Sequence, residues 1–236
     1  MITHKQIIFT IQFRLIFKKI FVILSKKPWE LIIMMRIFLI RHGETEWNRQ
    51  NRLQGNSDTH LSPEGFHQAI TLAEHAPFQD ADAIYSSDLS RAMSTAGILA
   101  ERFNLTVKQM PELREVNYGD WEGRFISDLV KESPKAFGKF FTAPERCHPP
   151  NGETFLEAQA RVMIGIREII ANHDNQNVIV VSHGAAIRLI LGAALDMPLH
   201  KMWAIGQFNM AVNILRVDDG EFTVELVNST EHLHRV

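Results

Sequence analysis

The chain predicts an α/β fold with a mostly parallel central sheet and an antiparallel edge, and three observations carry that prediction. Two short apolar runs, Ile37-Phe38-Leu39-Ile40 and Val178-Ile179-Val180-Val181, each stop abruptly at a polar residue, a histidine and a glycine. Continuous apolar runs of this length read as strands buried on both faces, at the centre of a parallel sheet. Near the C-terminus, two apolar segments, residues 211–217 and 222–227, flank Asp218-Asp219-Gly220, which signals a hairpin at the sheet edge.

The 236 residues, 45% apolar and 22% charged, suit one globular domain with a substantial core. A single cysteine, Cys147, excludes an intramolecular disulfide and fits a reducing, cytoplasmic setting. The net charge of −2 hides an asymmetry, because residues 1–34 carry +5 and leave −7 on the rest. An acidic body argues against a nucleic-acid partner, so any phosphate must be met by a local cluster of arginines.

Taken in order, the chain begins with residues 7–24, IIFTIQFRLIFKKIFVIL. A membrane span needs about 20 mostly uncharged residues, and Arg14, Lys18 and Lys19 interrupt this one. A helix here would carry a narrow basic stripe of Thr10, Arg14 and Lys18 and could lie in a membrane interface. The simpler expectation is a natural start at Met34 or Met35, a leader over 1–34 and a domain over 35–236. Membrane contact is expected only if the leader is real.

The first apolar strand runs into Arg41-His42-Gly43-Glu44-Thr45. Ligands of parallel sheets bind beyond the carboxyl ends of the strands. The planar fork of Arg41 suits phosphate oxygens, and a neutral His42 can act as a nucleophile. A strand-end Arg-His can equally be a structural pair. The second apolar run repeats the design in Ser182-His183-Gly184, followed by a helix to Leu195. Adjacent strands would bring His42 and His183 to one sheet edge, with Gly184 admitting an anion to a helix N-terminus.

Between these strands, Ser62-Pro63-Glu64-Gly65 opens a helix to about Ala76, and Ala83-Ile84-Tyr85 reads as a buried strand. Ser86, Ser87 and Asp88 are expected to cap the next helix, with Arg91 in its first turn. A cation there opposes the helix dipole, which an anion at the same place would relieve. Glu112, Glu115, Asp120 and Glu122 crowd one irregular stretch, and composition does not choose a proton donor among them. Residues 124–150 read as a helix and then an irregular, lid-like segment, and Glu153 or Thr154 starts a helix through Arg161 and Ile169. Cys147 is an incidental thiol. The histidines lack a metal-binding spacing such as H-E-x-x-H, so no metal and no cofactor are expected.

Leu39-Ile40-Arg41-His42-Gly43-Glu44-Thr45 resembles the signature of the histidine phosphatase superfamily, also called phosphoglycerate mutase-like. Further blocks follow in order across residues 35 to 230. The resemblance implies a three-layer α/β/α sandwich and a two-step phosphoryl transfer. His42 would attack phosphorus while Glu115, placed one residue after Leu113-Arg114, protonates the leaving oxygen. Arg41, Arg91 and His183 would surround the phosphoryl oxygens, Asn48 would contact them, and water would release phosphate. Catalytic roles thus fall to His42, Glu115 and His183, and phosphate binding to Arg41, Asn48, Arg91 and Gly184. To act as donor, Glu115 must carry a proton part of the time.

The implied partner is a small-molecule phosphomonoester, bound by a monomer or homodimer. The longer insertion of cofactor-dependent mutases after the acid motif is absent, which favours hydrolysis. Tyr118-Gly119-Asp120-Trp121-Glu122, Pro150-Asn151-Gly152-Glu153 and the segment from Met197-Pro198 to Met202-Trp203 are similar to alpha-ribazole phosphatases of cobalamin assembly. A broad-specificity phosphatase or mutase-like enzyme is the alternative. A non-catalytic phospho-ligand binder is the distant one, since such proteins lose the nucleophile or the acid and both are present.

Overall fold

The computed structural model describes residues 34–234, so the expectations for the leader over 1–34, apart from Met34 itself, lie outside the described residues. In chain order the elements are β1 (Met35–Arg41), α1 (Glu46–Arg49), α2 (Pro63–His75), β2 (Ala83–Ser86), α3 (Ser90–Phe103) and β3 (Val107–Gln109). There follow α4 (Ile126–Glu132), α5 (Pro134–Thr142), α6 (Phe155–Asn172), β4 (Asn177–Ser182), α7 (Gly184–Ala194), β5 (Val212–Asp218) and β6 (Glu221–Ser229).

The strands form one sheet in the order β3-β2-β4-β1-β5-β6. The first four are parallel, and β5 and β6 add the antiparallel edge. The turn between them uses Asp219 at φ 49° and Gly220 at φ 78°, the positive pair that a two-residue hairpin matched to strand twist requires.

Side chains alternate across the sheet with period two. Ile37, Leu39, Val178 and Val180 pack with residues of α6 and α7, including Phe155, Ile166 and Ile187. Phe38, Ile40, Ile179 and Val181 pack with Leu72 of α2 and Leu99 of α3. These two cores on opposite faces are the expected three-layer sandwich.

Two local expectations need correction. The cap of α3 does not come from Asp88: Asp58, a distant loop residue, accepts from the Ser90 N–H and hydroxyl, both at 2.7 Å. Asp88 instead pairs with Arg114 at 2.6 and 2.5 Å. A guanidinium fork matches a carboxylate better than backbone N–H groups can. The second half of 124–150 is also partly regular, because Phe137 and Phe140, three residues apart after Pro134, bury one face of α5, while Phe141 is left half-exposed. Phe140 stacks on Trp203 with ring centroids 4.8 Å apart, which holds this excursion over the carboxyl edge of the sheet.

Candidate active site

The register of β1 against β4 sets Arg41 opposite Ser182, so the next residues, His42 and His183, leave the sheet abreast. The ladder continues one step further, with His42 N–H donating to the Ser182 carbonyl at 3.0 Å. The two imidazole centroids are 5.1 Å apart. Both rings are buried. Burial first, and then the nearby Arg91 and Arg41, hold both well below the ordinary histidine value, so both are neutral near pH 7.

The tautomer of His42 follows from its neighbour. Its Nδ1 lies 2.7 Å from the Gly43 carbonyl oxygen, which can only accept, so Nδ1 carries the proton. Nε2 is left with its lone pair. His183 offers the complementary feature: among the described residues neither ring nitrogen has a partner, although the residue is fully buried.

Arg91 is wholly buried in the first turn of α3. Its Nη1 donates to the Ser57 carbonyl at 2.8 Å and its Nη2 to the Gly55 carbonyl at 2.6 Å. Arg41 donates from Nη1 to the Gln207 carbonyl at 2.6 Å. In both guanidinium groups Nε is buried without a partner among the described residues. Burial, opposed by the charge of Glu115, lowers each to about 10, which leaves both cationic at neutral pH. Neutral carbonyls hold these cations in place without neutralising them. Unpaired buried donors are costly, so the arrangement is built to receive an anion.

Among the four carboxylates that composition left open, geometry singles out Glu115. The residue is 9% exposed, and its carboxylate accepts from the backbone N–H groups of Val116, Ala185 and Ala186 at 3.0, 3.1 and 3.0 Å. Glu122 is occupied as a loop clasp, accepting from Asn56, Ser57 and Tyr118. Asp120 binds Asn151 at the surface. Glu112 lies instead along a separate groove with Arg114 and Arg161. Arg161 anchors the acid loop from below, donating to the Glu112, Arg114 and Glu115 carbonyls at 2.8, 3.0 and 3.1 Å.

The N-terminus of α7 therefore serves partly as the anchor of Glu115, not wholly as a free anion site. Gly184 has a second reason to be glycine: a Cβ there would lie 3.4 Å from Arg41 Nε and 3.3 Å from Arg188 Nη1. Asn48 uses its Oδ1 to accept from the Thr45 N–H and from Asn209, at 3.1 and 3.2 Å, leaving its amide nitrogen as the outward donor.

Arg41, His42, Asn48, Arg91, Glu115 and Gly184 all line one cavity of about 200 Å³. His183 lies beside His42, behind that wall. Four aromatic residues, Tyr118, Phe140, Phe141 and Trp203, also line the cavity. Two cations there, Arg52 and Arg188, had no place in the sequence reading. Arg188 carried a signal, as the one charged residue of an otherwise apolar α7, one turn after Gly184. Among the described residues no group of three or more His, Cys, Asp or Glu is placed to hold a metal, and no helix is long and apolar enough to cross a membrane.

The sequence profile of the histidine phosphatase superfamily (branch 1) matches residues 37–230. The chain is 32% identical over 200 residues to phosphoserine phosphatase 1 of Hydrogenobacter thermophilus, covering 85% of this chain and 95% of that one. It is 34% identical over 198 residues to the adenosylcobalamin/alpha-ribazole phosphatase of Salmonella typhimurium, covering 83% and 96%. The solved structure of YhfR from Bacillus stearothermophilus aligns with a TM-score of 0.81 at 32% identity, over 84% of this chain and 99% of that one.

Proposed function

The chain belongs to the histidine phosphatase superfamily, as a phosphoric monoester hydrolase of that type, and from this premise we propose how its residues divide the reaction. His42 Nε2 directs its lone pair at phosphorus, in line with the ester oxygen. As the N–P bond forms, the P–O bond breaks, and the departing oxygen takes the proton of Glu115. Water then attacks the phosphohistidine, gives a proton back to Glu115, and the P–N bond pair returns to Nε2. Both steps balance with no other reactant.

The observation that carries this reading is the pairing of a neutral, tautomer-locked His42 with unpartnered Nε donors on Arg41 and Arg91. Those donors, with Asn48 and the Gly184 backbone, receive the phosphoryl oxygens. His183 adds a neutral N–H beside the nucleophile. Preorganised charge of this kind is usually the largest catalytic contribution. Replacing His42 by alanine should lower turnover by several powers of ten, and a His42→Ala protein with near-full activity would sink the assignment.

For the substrate, the sequence points to alpha-ribazole 5′-phosphate. The Salmonella relative and the aromatic wall, which can stack a flat base, support that reading. A phosphomonoester that bears its own carboxylate is the second reading, and Arg52 and Arg188 favour it. Steady-state comparison of the two substrate types ranks them directly.

A further inference from the structure

The chain enters β5 through a tight turn, Phe208 to Ala211, closed by the Ala211 N–H on the Phe208 carbonyl at 3.1 Å. Its third residue, Met210, is fully buried with φ 57°, a left-handed conformation that glycine adopts freely and methionine only under constraint. The constraint comes from both sides. The Phe208 N–H donates to Asn228 Oδ1 at 2.8 Å, and the Arg41 N–H donates to the Ala211 carbonyl at 3.1 Å. Strain kept beside a functional site points to what it positions, and this turn presents Asn209.

Asn209 Nδ2 lies 3.1 Å from the His42 carbonyl oxygen and 3.2 Å from Asn48 Oδ1. Groups with a single role force both amide orientations. The His42 carbonyl can only accept, so the Asn209 atom facing it is the nitrogen. The Thr45 N–H, 3.1 Å from Asn48, can only donate, so the Asn48 atom facing it is the oxygen. One nitrogen of Asn209 thus directs its two hydrogens to the backbone of the nucleophile and to the side chain of Asn48. Asn48 lines the cavity with Arg41, His42 and Arg91, whereas Asn209 does not. Any effect of Asn209 on a bound phosphoryl group therefore passes through its neighbours.

We propose that Asn209 is a positioning residue for phosphoryl binding, holding the Asn48 amide oxygen away from the cavity so that Nδ2 donates to a phosphoryl oxygen. The inference rests on the phosphomonoesterase reading above and adds a residue to it. Without Asn209, the Asn48 amide oxygen is held by Thr45 alone. An amide turned over would present that oxygen to the anion and exchange attraction for repulsion. A donor fixed beforehand needs no reorganisation when the anion arrives.

The test is a double-mutant cycle on the full chain, Asn209→Ala with Asn48→Ala, read by calorimetric binding of inorganic phosphate and by kcat/KM for p-nitrophenyl phosphate. Asn209→Ala alone should weaken phosphate binding about tenfold, the size of one hydrogen bond to a charged group, with kcat/KM falling alongside. In the Asn48→Ala background the same substitution should change binding by less than about twofold, because the group it acts through is gone. Asn209→Leu keeps the bulk of the side chain without its donor and should be no better than alanine. If Asn209→Ala does not fold by circular dichroism, Asn209→Leu runs the same cycle. Wild-type phosphate binding in Asn209→Ala, equal losses in the two backgrounds, or rescue by Asn209→Leu overturns the proposal. Phosphate binding with the expected coupling, but no hydrolysis of any phosphomonoester, would instead overturn the phosphomonoesterase reading and support the positioning role.

Discussion

Acidification should unfold this protein early, and the two site histidines set the scale. His42 and His183 are buried and, beside Arg91 and Arg41, held well below their ordinary value of 6.5. The unfolded chain binds protons at both rings below that value, and the folded chain resists them. Their contribution to stability is therefore full above about pH 6.5 and is lost as pH falls below it toward the folded values. Each group that stays neutral in the fold removes about 1.9 kcal/mol between pH 7 and 5, so the pair removes up to about 4 kcal/mol. That is a large share of the roughly 5–15 kcal/mol holding a typical domain together. Urea unfolding at pH 7, 6 and 5, in phosphate-free buffer because bound anion would add its own stabilisation, measures it. His183→Gln keeps a polar side chain and removes one titrating ring, so it should show about half the loss. Stability that is flat from pH 7 to 5, or a variant with the wild-type slope, would refute the reasoning.

Three substitutions probe how the site is held. Arg161→Met frees three carbonyls of the acid loop and the Glu153 carboxylate; it should cost about 2–4 kcal/mol in urea melts and lower kcat more than it raises KM. Glu122→Gln turns a donor toward the N–H groups of Asn56, Ser57 or Tyr118. It should cost about 1–3 kcal/mol and weaken inhibition by inorganic phosphate, because the same loop grips Arg91. Asn213→Leu breaks a reciprocal buried amide pair with Gln207 at 2.7 and 3.0 Å. It should destabilise by about 2–4 kcal/mol and loosen the Gln207 carbonyl that positions Arg41, again read as weaker phosphate inhibition.

The strands that place His42 and His183 were legible because a strand buried on both faces has no polar option, and the run itself marks the element. The hairpin was legible for a similar reason, since Asp219-Gly220 supplies the positive φ values its turn demands. β3 escaped notice: with three residues and only Val107 apolar, it carries no run to read. The Asp58 cap of α3 and the Arg161 clamp join residues more than 30 positions apart, and no local pattern encodes such pairings. The acid was open in composition and proposed by resemblance; of the four carboxylates, Glu115 is the one that lines the cavity with His42. Arg52 and Arg188 line the same cavity; Arg188 left a trace as the one charge in apolar α7, whereas nothing in the spacing around Arg52 says that it converges on a cavity.

The central claim is that phosphate passes through His42. Brief incubation of the full chain with a ³²P-labelled phosphomonoester, an alkaline quench that preserves phosphohistidine, and peptide mapping would test it. The account predicts label on the peptide containing His42, held at Nε2, and none in His42→Ala. Label on His183 instead, or rapid hydrolysis with no trapped label and a turnover that survives His42→Ala, would contradict it.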